Sequence, residues 1–179
     1  MKIKKILIIL IILVASALFY DRDYVRAEDI MGGPTLKFGY SITEKTISNF
    51  LFGGMGIHQT DNFYFGGGGY GGPIAYNDIK GGIGYGGFIF GLVLFNRVHT
   101  GVLVGGIGGG ARNVLSDKAS VGGGGFVIEP EIRYLMDVSK SVQLGFTLSY
   151  LFVPISFPSD IFIKDISIFC FGFNLIFFK

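Results

Sequence analysis

Glu129, Glu131 and Arg133 are the residues whose types and spacing most clearly allow joint chemistry. Separated by two, they project from one face of an extended segment in which Phe126, Ile128, Ile132, Tyr134 and Met136 occupy the other. Two carboxylates and a guanidinium on the face opposite the aromatics need water or one another. That makes them an ion-pair network, with Lys37 and Asn174 as further polar members contributed by other strands. Pro130 lies between the carboxylates on the apolar side and has no N–H for a sheet ladder, so the segment is expected to be bulged or unpaired there.

Other arrangements that could do chemistry lack their required context. Gly82-Ile83-Gly84-Tyr85-Gly86-Gly87 has the letters of a phosphate-cradling turn, but Phe88-Ile89-Phe90 continues as strand where a helix N-terminus is needed. No nucleotide is therefore expected. The glycine runs carry no Asp of a calcium-binding repeat. His58 and His99 have no second ligand at metal spacing and read as surface histidines, with no metal and no cofactor expected. Cys170 reads as a small apolar filler, and as the single cysteine it excludes an intramolecular disulfide. No G-x-S-x-G elbow is present, and the chain reads as non-enzymatic.

The segments that position these residues are strands. Apolar residues recur at spacing two: Phe169, Phe171, Phe173, Leu175 and Phe177 against Ile168, Cys170, Gly172, Asn174 and Ile176. Val142, Leu144, Phe146, Leu148, Tyr150 and Phe152 likewise oppose Ser141, Gln143, Gly145, Thr147, Ser149 and Leu151. Leu36, Phe38, Tyr40 and Ile42 oppose Thr35, Lys37, Gly39 and Ser41. Turn signals divide the chain into eight strands near 35–42, 46–57, 62–72, 81–94, 98–110, 122–136, 141–152 and 165–178. The connections after the second, fourth and sixth are short. Those at Pro73 to Lys80, Ala111 to Val121 and Val153 to Lys164 are longer, and only the first hairpin, Thr43 to Lys45, breaks the alternation.

Upstream, Met1 to Ala17 carries Lys2, Lys4 and Lys5, then an apolar run from Ile6, then Ala15-Ser16-Ala17. This is the pattern of a secretory signal peptide, with cleavage after Ala17 or as late as Ala27. Residues 18–32 then form a short extension and 33–179 one domain. Loss of residues 1–17 removes three of 15 basic residues against 13 acidic, a net of −1, and leaves no basic run for nucleic acid.

Even strand number, alternating aromatic and polar faces, unequal turns and an export signal together resemble the small outer-membrane β-barrels of bacteria. The final strand, ending Phe177-Phe178, resembles their C-terminal assembly signal, although Lys179 follows the aromatic. The resemblance implies an all-β, antiparallel up-and-down, glycine-rich barrel of about eight strands in the outer membrane. Lipid and the barrel-assembly machinery would be its partners, and its role would be structural or one of surface interaction. Tyr40, Tyr64, Tyr70, Tyr85, Tyr134 and Tyr150 would supply its interface girdle in the absence of Trp. Glu129, Glu131, Arg133, Lys37 and Asn174 would form a lumenal network that plugs the interior or gates a narrow channel. A soluble secreted or periplasmic β-protein binding an apolar ligand is the other reading, because a lipid-facing aromatic band and an apolar core look alike in sequence.

Glycine gives one architectural clue. Residues 53–125 hold 25 of the 30 glycines, which points to a thin, strongly curved wall facing a bulkier one made by strands one, seven and eight.

Overall fold

The computed structural model describes residues 29–41, 48–60, 62–76, 79–94, 97–113, 121–156 and 167–178. The expected signal peptide and its cleavage sites lie outside these residues. All eight elements are strands: β1 Asp29–Ser41, β2 Ser48–Gln59, β3 Phe63–Tyr76, β4 Ile79–Leu94, β5 Val98–Asn113, β6 Val121–Ser139, β7 Val142–Ser156 and β8 Ser167–Phe178. Each pairs antiparallel with the next, and β8 returns to β1, so the sheet closes on itself in sequence order. Closure removes every free edge and excludes a two-sheet sandwich.

The strands are 12 to 19 residues long and outrun the expected limits in several places. β1 starts at Asp29, within what the sequence reads as an extension, because Gly32-Gly33-Pro34 continues the ladder to Gly54, Met55 and Gly56. The Pro73 to Lys80 loop is a correction: β3 runs on to Tyr76, which pairs with Ile79, and only 77–78 connect the strands. Proline and glycine there punctuate the sequence without ending the strand.

Turns at 60–62, 95–97 and 140–141 lie at the same end as Asp29 and Phe178, here termed the hairpin end. Thr60 closes the first of them, its N–H and its hydroxyl both donating to the Phe63 carbonyl at 2.7 and 2.9 Å. The strand ends that flank 42–47, 77–78, 114–120 and 157–166 face the opposite, loop end, and these connections, the expected Thr43 to Lys45 hairpin among them, lie outside the described residues.

Prolines mark several of the irregularities, and a further register shift between Asp137 and Ser139 has none. Pro130 keeps register with Val102 of β5, but the ladder toward β7 passes from Ile128 to Glu131 without a partner for Glu129 or Pro130. The bulge itself sits just before, where Val153 and Pro154 of β7 oppose only Val127. At the β1–β8 seam the paired residues skip Gly33 and Pro34, consistent with a proline that has no N–H to give.

Alternation assigns the faces. Outward stand the aromatics: eleven phenylalanines are exposed among the described residues, including Phe38, Phe52, Phe88 and Phe171. Inward stand Thr35, Lys37, Glu129, Glu131, Arg133, Thr147, Ser149 and Asn174, all buried. The glycines of 53–125 lie within β2 to β6, as the thin-wall reading requires, and alternate onto both faces. The inward ones let large side chains lie flat on the wall. A Cβ on Gly53 would stand 2.7 Å from the Tyr70 ring, and one on Gly91 would stand 2.7 Å from that of Tyr64.

Candidate functional site: the barrel lumen

Position along each strand sorts the lumen into three layers. Near the loop end Leu51, Ile83, Val127, Leu151, Val153 and Ile168 point inward and are buried. Near the hairpin end Met31, Ile57, Val93, Leu135 and Ile176 do the same. Between them runs a polar belt in which the expected residues meet. Strand pleating puts each on the inner face, and barrel closure brings β1, β6 and β8 within reach of one another.

Lys37 Nζ donates to Glu129 Oε1 at 2.7 Å across the barrel, and the Ser149 hydroxyl donates to the same oxygen. Arg133 Nη2 pairs with Glu131 Oε1 on its own strand. Two cations thus face two carboxylates, and the belt carries no net charge from these four groups. Asn174 stands apart from the ions in a second unit: its Oδ1 accepts from Thr35 at 2.8 Å and its Nδ2 donates to Thr147 at 2.6 Å. All five expected residues therefore line one belt, as an ion quartet and an amide bridge rather than a single network. Gln143 shares the inward parity of Gly145, Thr147 and Ser149 but stands outside the belt, donating to Asp137 at 2.7 Å near the hairpin end, where Arg97 lies 3.6 Å from the other Asp137 oxygen.

Two assignments are corrected. Tyr64, Tyr70 and Tyr85 do not belong to an interface girdle; they are buried in the lumen, leaving Tyr40, Tyr134 and Tyr150 on the outer face. Tyr70 caps the ion quartet, its ring centroid 3.7 Å from Lys37 Nζ, with Tyr85 at 5.9 Å. His99 is likewise buried, not at the surface. It is the register partner of Arg133, and its ring centroid lies 5.3 Å from that of Tyr64. The other histidine, His58, lies against Phe65 on the outer wall. Parity would have separated these sets. Tyr64 and Tyr70 have parity opposite to Phe63 and Phe65, and Tyr85 opposite to Phe88 and Phe90, but the intervening glycines carry no polarity to mark a face.

The belt offers ion pairing and hydrogen bonding. Arg133 Nε and Nη1, Glu129 Oε2 and the hydroxyls of Tyr64 and Tyr70 are buried without a protein partner, so it retains donors and acceptors beyond those it uses. Cys170 is buried beside the belt, as its filler reading expects. Among the described residues no group of three His, Cys, Asp or Glu side chains could hold a metal ion.

No protein-family model matches the chain, and no curated protein matches it in sequence. Solved structures do match in fold. Neisserial surface protein A superposes with a TM-score of 0.58 at 9% identity, over 84% of this chain and 96% of that one. Ail, the attachment invasion locus protein of Yersinia pestis, superposes with a TM-score of 0.51 at 10% identity, over 85% and 97%. A second crystal structure of Ail, in complex with the heparin analogue sucrose octasulfate, gives 0.50 at 11% over the same shares. The chain has the eight-stranded closed barrel fold that these proteins share.

Proposed function

We propose that the protein is a non-conducting, non-enzymatic barrel of the bacterial outer membrane that acts as an envelope component, structurally or through contacts made at its loop end. The observation that carries this reading is the inversion of its surfaces. Charged side chains are buried in the lumen while phenylalanines, leucines and tyrosines stand outward on β1, β2, β4 and β8. A soluble domain that exposed an apolar belt of this extent would associate or aggregate, whereas a bilayer requires one. The strand lengths exceed the roughly 9–11 residues needed to cross. The likeness in fold to Ail and to Neisserial surface protein A points the same way. Ail has been crystallised in complex with a heparin analogue, so an external polyanion is one kind of partner to test on this barrel. On this reading Met1 to Ala17 directs export, and β8, with Phe169 to Phe177 outward, is the strand offered to the assembly machinery.

The apolar layers on either side of the polar belt favour a plug over a gate. A pore would need a continuous wet path, and these residues interrupt it at both ends. Purified protein in planar bilayers is therefore expected to show no unitary conductance; steps abolished by Arg133→Ala would instead make the belt a gate.

The membrane reading is tested by fractionation and by electrophoresis of unboiled and boiled samples. The protein is expected in the detergent-requiring outer-membrane fraction and to migrate faster unboiled, because a closed barrel stays compact until heated. Recovery from the periplasm without detergent would sink the reading.

A further inference from the structure

The unpartnered polar atoms of the lumen are not scattered. Four of them, the Tyr64 hydroxyl, His99 Nδ1 and Arg133 Nε and Nη1, belong to three fully buried side chains on β3, β5 and β6. Register brings these chains together. Tyr64 pairs with Gly91, Gly91 with Gly101 and Gly101 with Glu131, a single row across β3, β4, β5 and β6. The Tyr64 side chain lies along this row: a Cβ on Gly91 would stand 2.7 Å from its Cζ, and one on Gly101 would run into the hydroxyl itself. Two glycines thus let a phenol lie flat on the wall, so that its hydroxyl reaches β5 beside the Glu131–Arg133 pair. In the next inward row toward the hairpin end His99 pairs with Arg133, and its ring is tilted 32° to that of Tyr64 at 5.3 Å between centroids.

A buried donor or acceptor without a partner gives up its hydration for nothing, and here four share one corner of the lumen. Charge selects what satisfies them. Lys37 and Arg133 already balance Glu129 and Glu131, so an added ion of either sign would be a buried charge without a partner. The guanidinium nitrogens only donate, the hydroxyl donates and accepts, and a neutral imidazole has one nitrogen for each role. Together they call for a small neutral molecule that gives and takes hydrogen bonds. Apolar residues cut the group off from both mouths of the barrel: Ile89 and Leu103 are the next inward side chains toward the loop end, Val93 and Leu135 toward the hairpin end, and all four are buried.

We infer that Tyr64, His99 and Arg133 form a closed binding site for water, about one or two molecules at the usual three hydrogen bonds each. A water that accepts from Arg133 and donates to the Tyr64 hydroxyl or to His99 Nδ1 joins three isolated groups into one network across β3, β5 and β6. This rests on the non-conducting reading above. The test uses the full chain, labelled with nitrogen-15 and folded in perdeuterated detergent micelles, and reads magnetisation transfer from water to the Arg133 Nε–H. The expected transfer has opposite signs in the laboratory and rotating frames, the signature of a bound water, whereas proton exchange gives the same sign in both. It should persist in Tyr64→Phe, which has no hydroxyl proton to relay it. No transfer, or transfer of the exchange type alone, would overturn the site. Urea titration in lipid vesicles gives an independent readout: Tyr64→Phe should lower the folding equilibrium constant about fivefold, the loss of one made hydrogen bond. A variant as stable as the parent or more so would also overturn the site, because deleting a hydroxyl that has no partner relieves its burial. Planar-bilayer recordings on the same preparation separate the two readings: conductance steps would overturn both, and a silent barrel without the water signal condemns the site alone.

Discussion

Lys37→Met is expected to destabilise the barrel by about 3–5 kcal/mol, the cost of leaving a buried charge without its partner. Glu129 would keep only the Ser149 hydroxyl on Oε1, and its Oε2 has no protein partner to begin with. The double variant Lys37→Met with Glu129→Gln should recover most of that loss, because removing both charges also removes their desolvation penalty. Urea titration in lipid vesicles, scored by the fraction migrating compactly without boiling, measures all three proteins. A double variant no more stable than the single would show that Lys37 and Glu129 do not act as a pair. In that case Tyr70, whose ring lies against Lys37 Nζ, would be the next residue to truncate.

The second large effect separates glycines by face. Gly87 and Gly105 are inward register partners on β4 and β5, and a Cβ on either would stand 2.6 Å from the other's Cα and run into a neighbouring carbonyl. Gly84 and Gly108, outward partners three residues away on the same strands, would accept one. Gly87→Ala and Gly105→Ala are each expected to cost about 1–3 kcal/mol through displaced backbone. Gly84→Ala and Gly108→Ala should be neutral or slightly stabilising. The same urea titration checks both pairs. Equal losses on the two faces would mean that glycine serves strand curvature as a whole, and that close approach at the inner face is not the cause.

This split also explains what the sequence could and could not tell. From Phe126 onward in β6, and from Val142 to Phe152 and through β8, the outward positions are almost all apolar, so faces, pairing sense and the inward course of Glu129, Glu131, Arg133 and Asn174 follow from alternation alone. In β3 and β4 glycine occupies both faces and alternation loses its contrast. The tyrosines there have the sequence character of girdle residues, yet the structure sets Tyr70 against Tyr85 inside, their tilted rings 5.3 Å apart between centroids. Lys37 could be placed on an inner face, but not opposite Glu129, since strand-to-strand stagger across a closed barrel is not written in any one strand. His99 carries the same lesson. One residue into β5, it could be placed only by the parity of its neighbours, and Val98 and Thr100 are too small a contrast to fix it.

The seam between β1 and β8 has a consequence for when the protein can exist at all. It joins residue 31 to residue 178, so the ring closes only when the first described strand meets the eighth. Until then a partly made or partly inserted molecule has two open edges, each able to recruit a strand from another copy. The skipped pairs at Gly33 and Pro34 make this the more weakly stitched junction from the start. A chain that lacks the last residues of β8 should accumulate as cross-paired oligomers instead of a smaller barrel, because β1 then has no strand to close against.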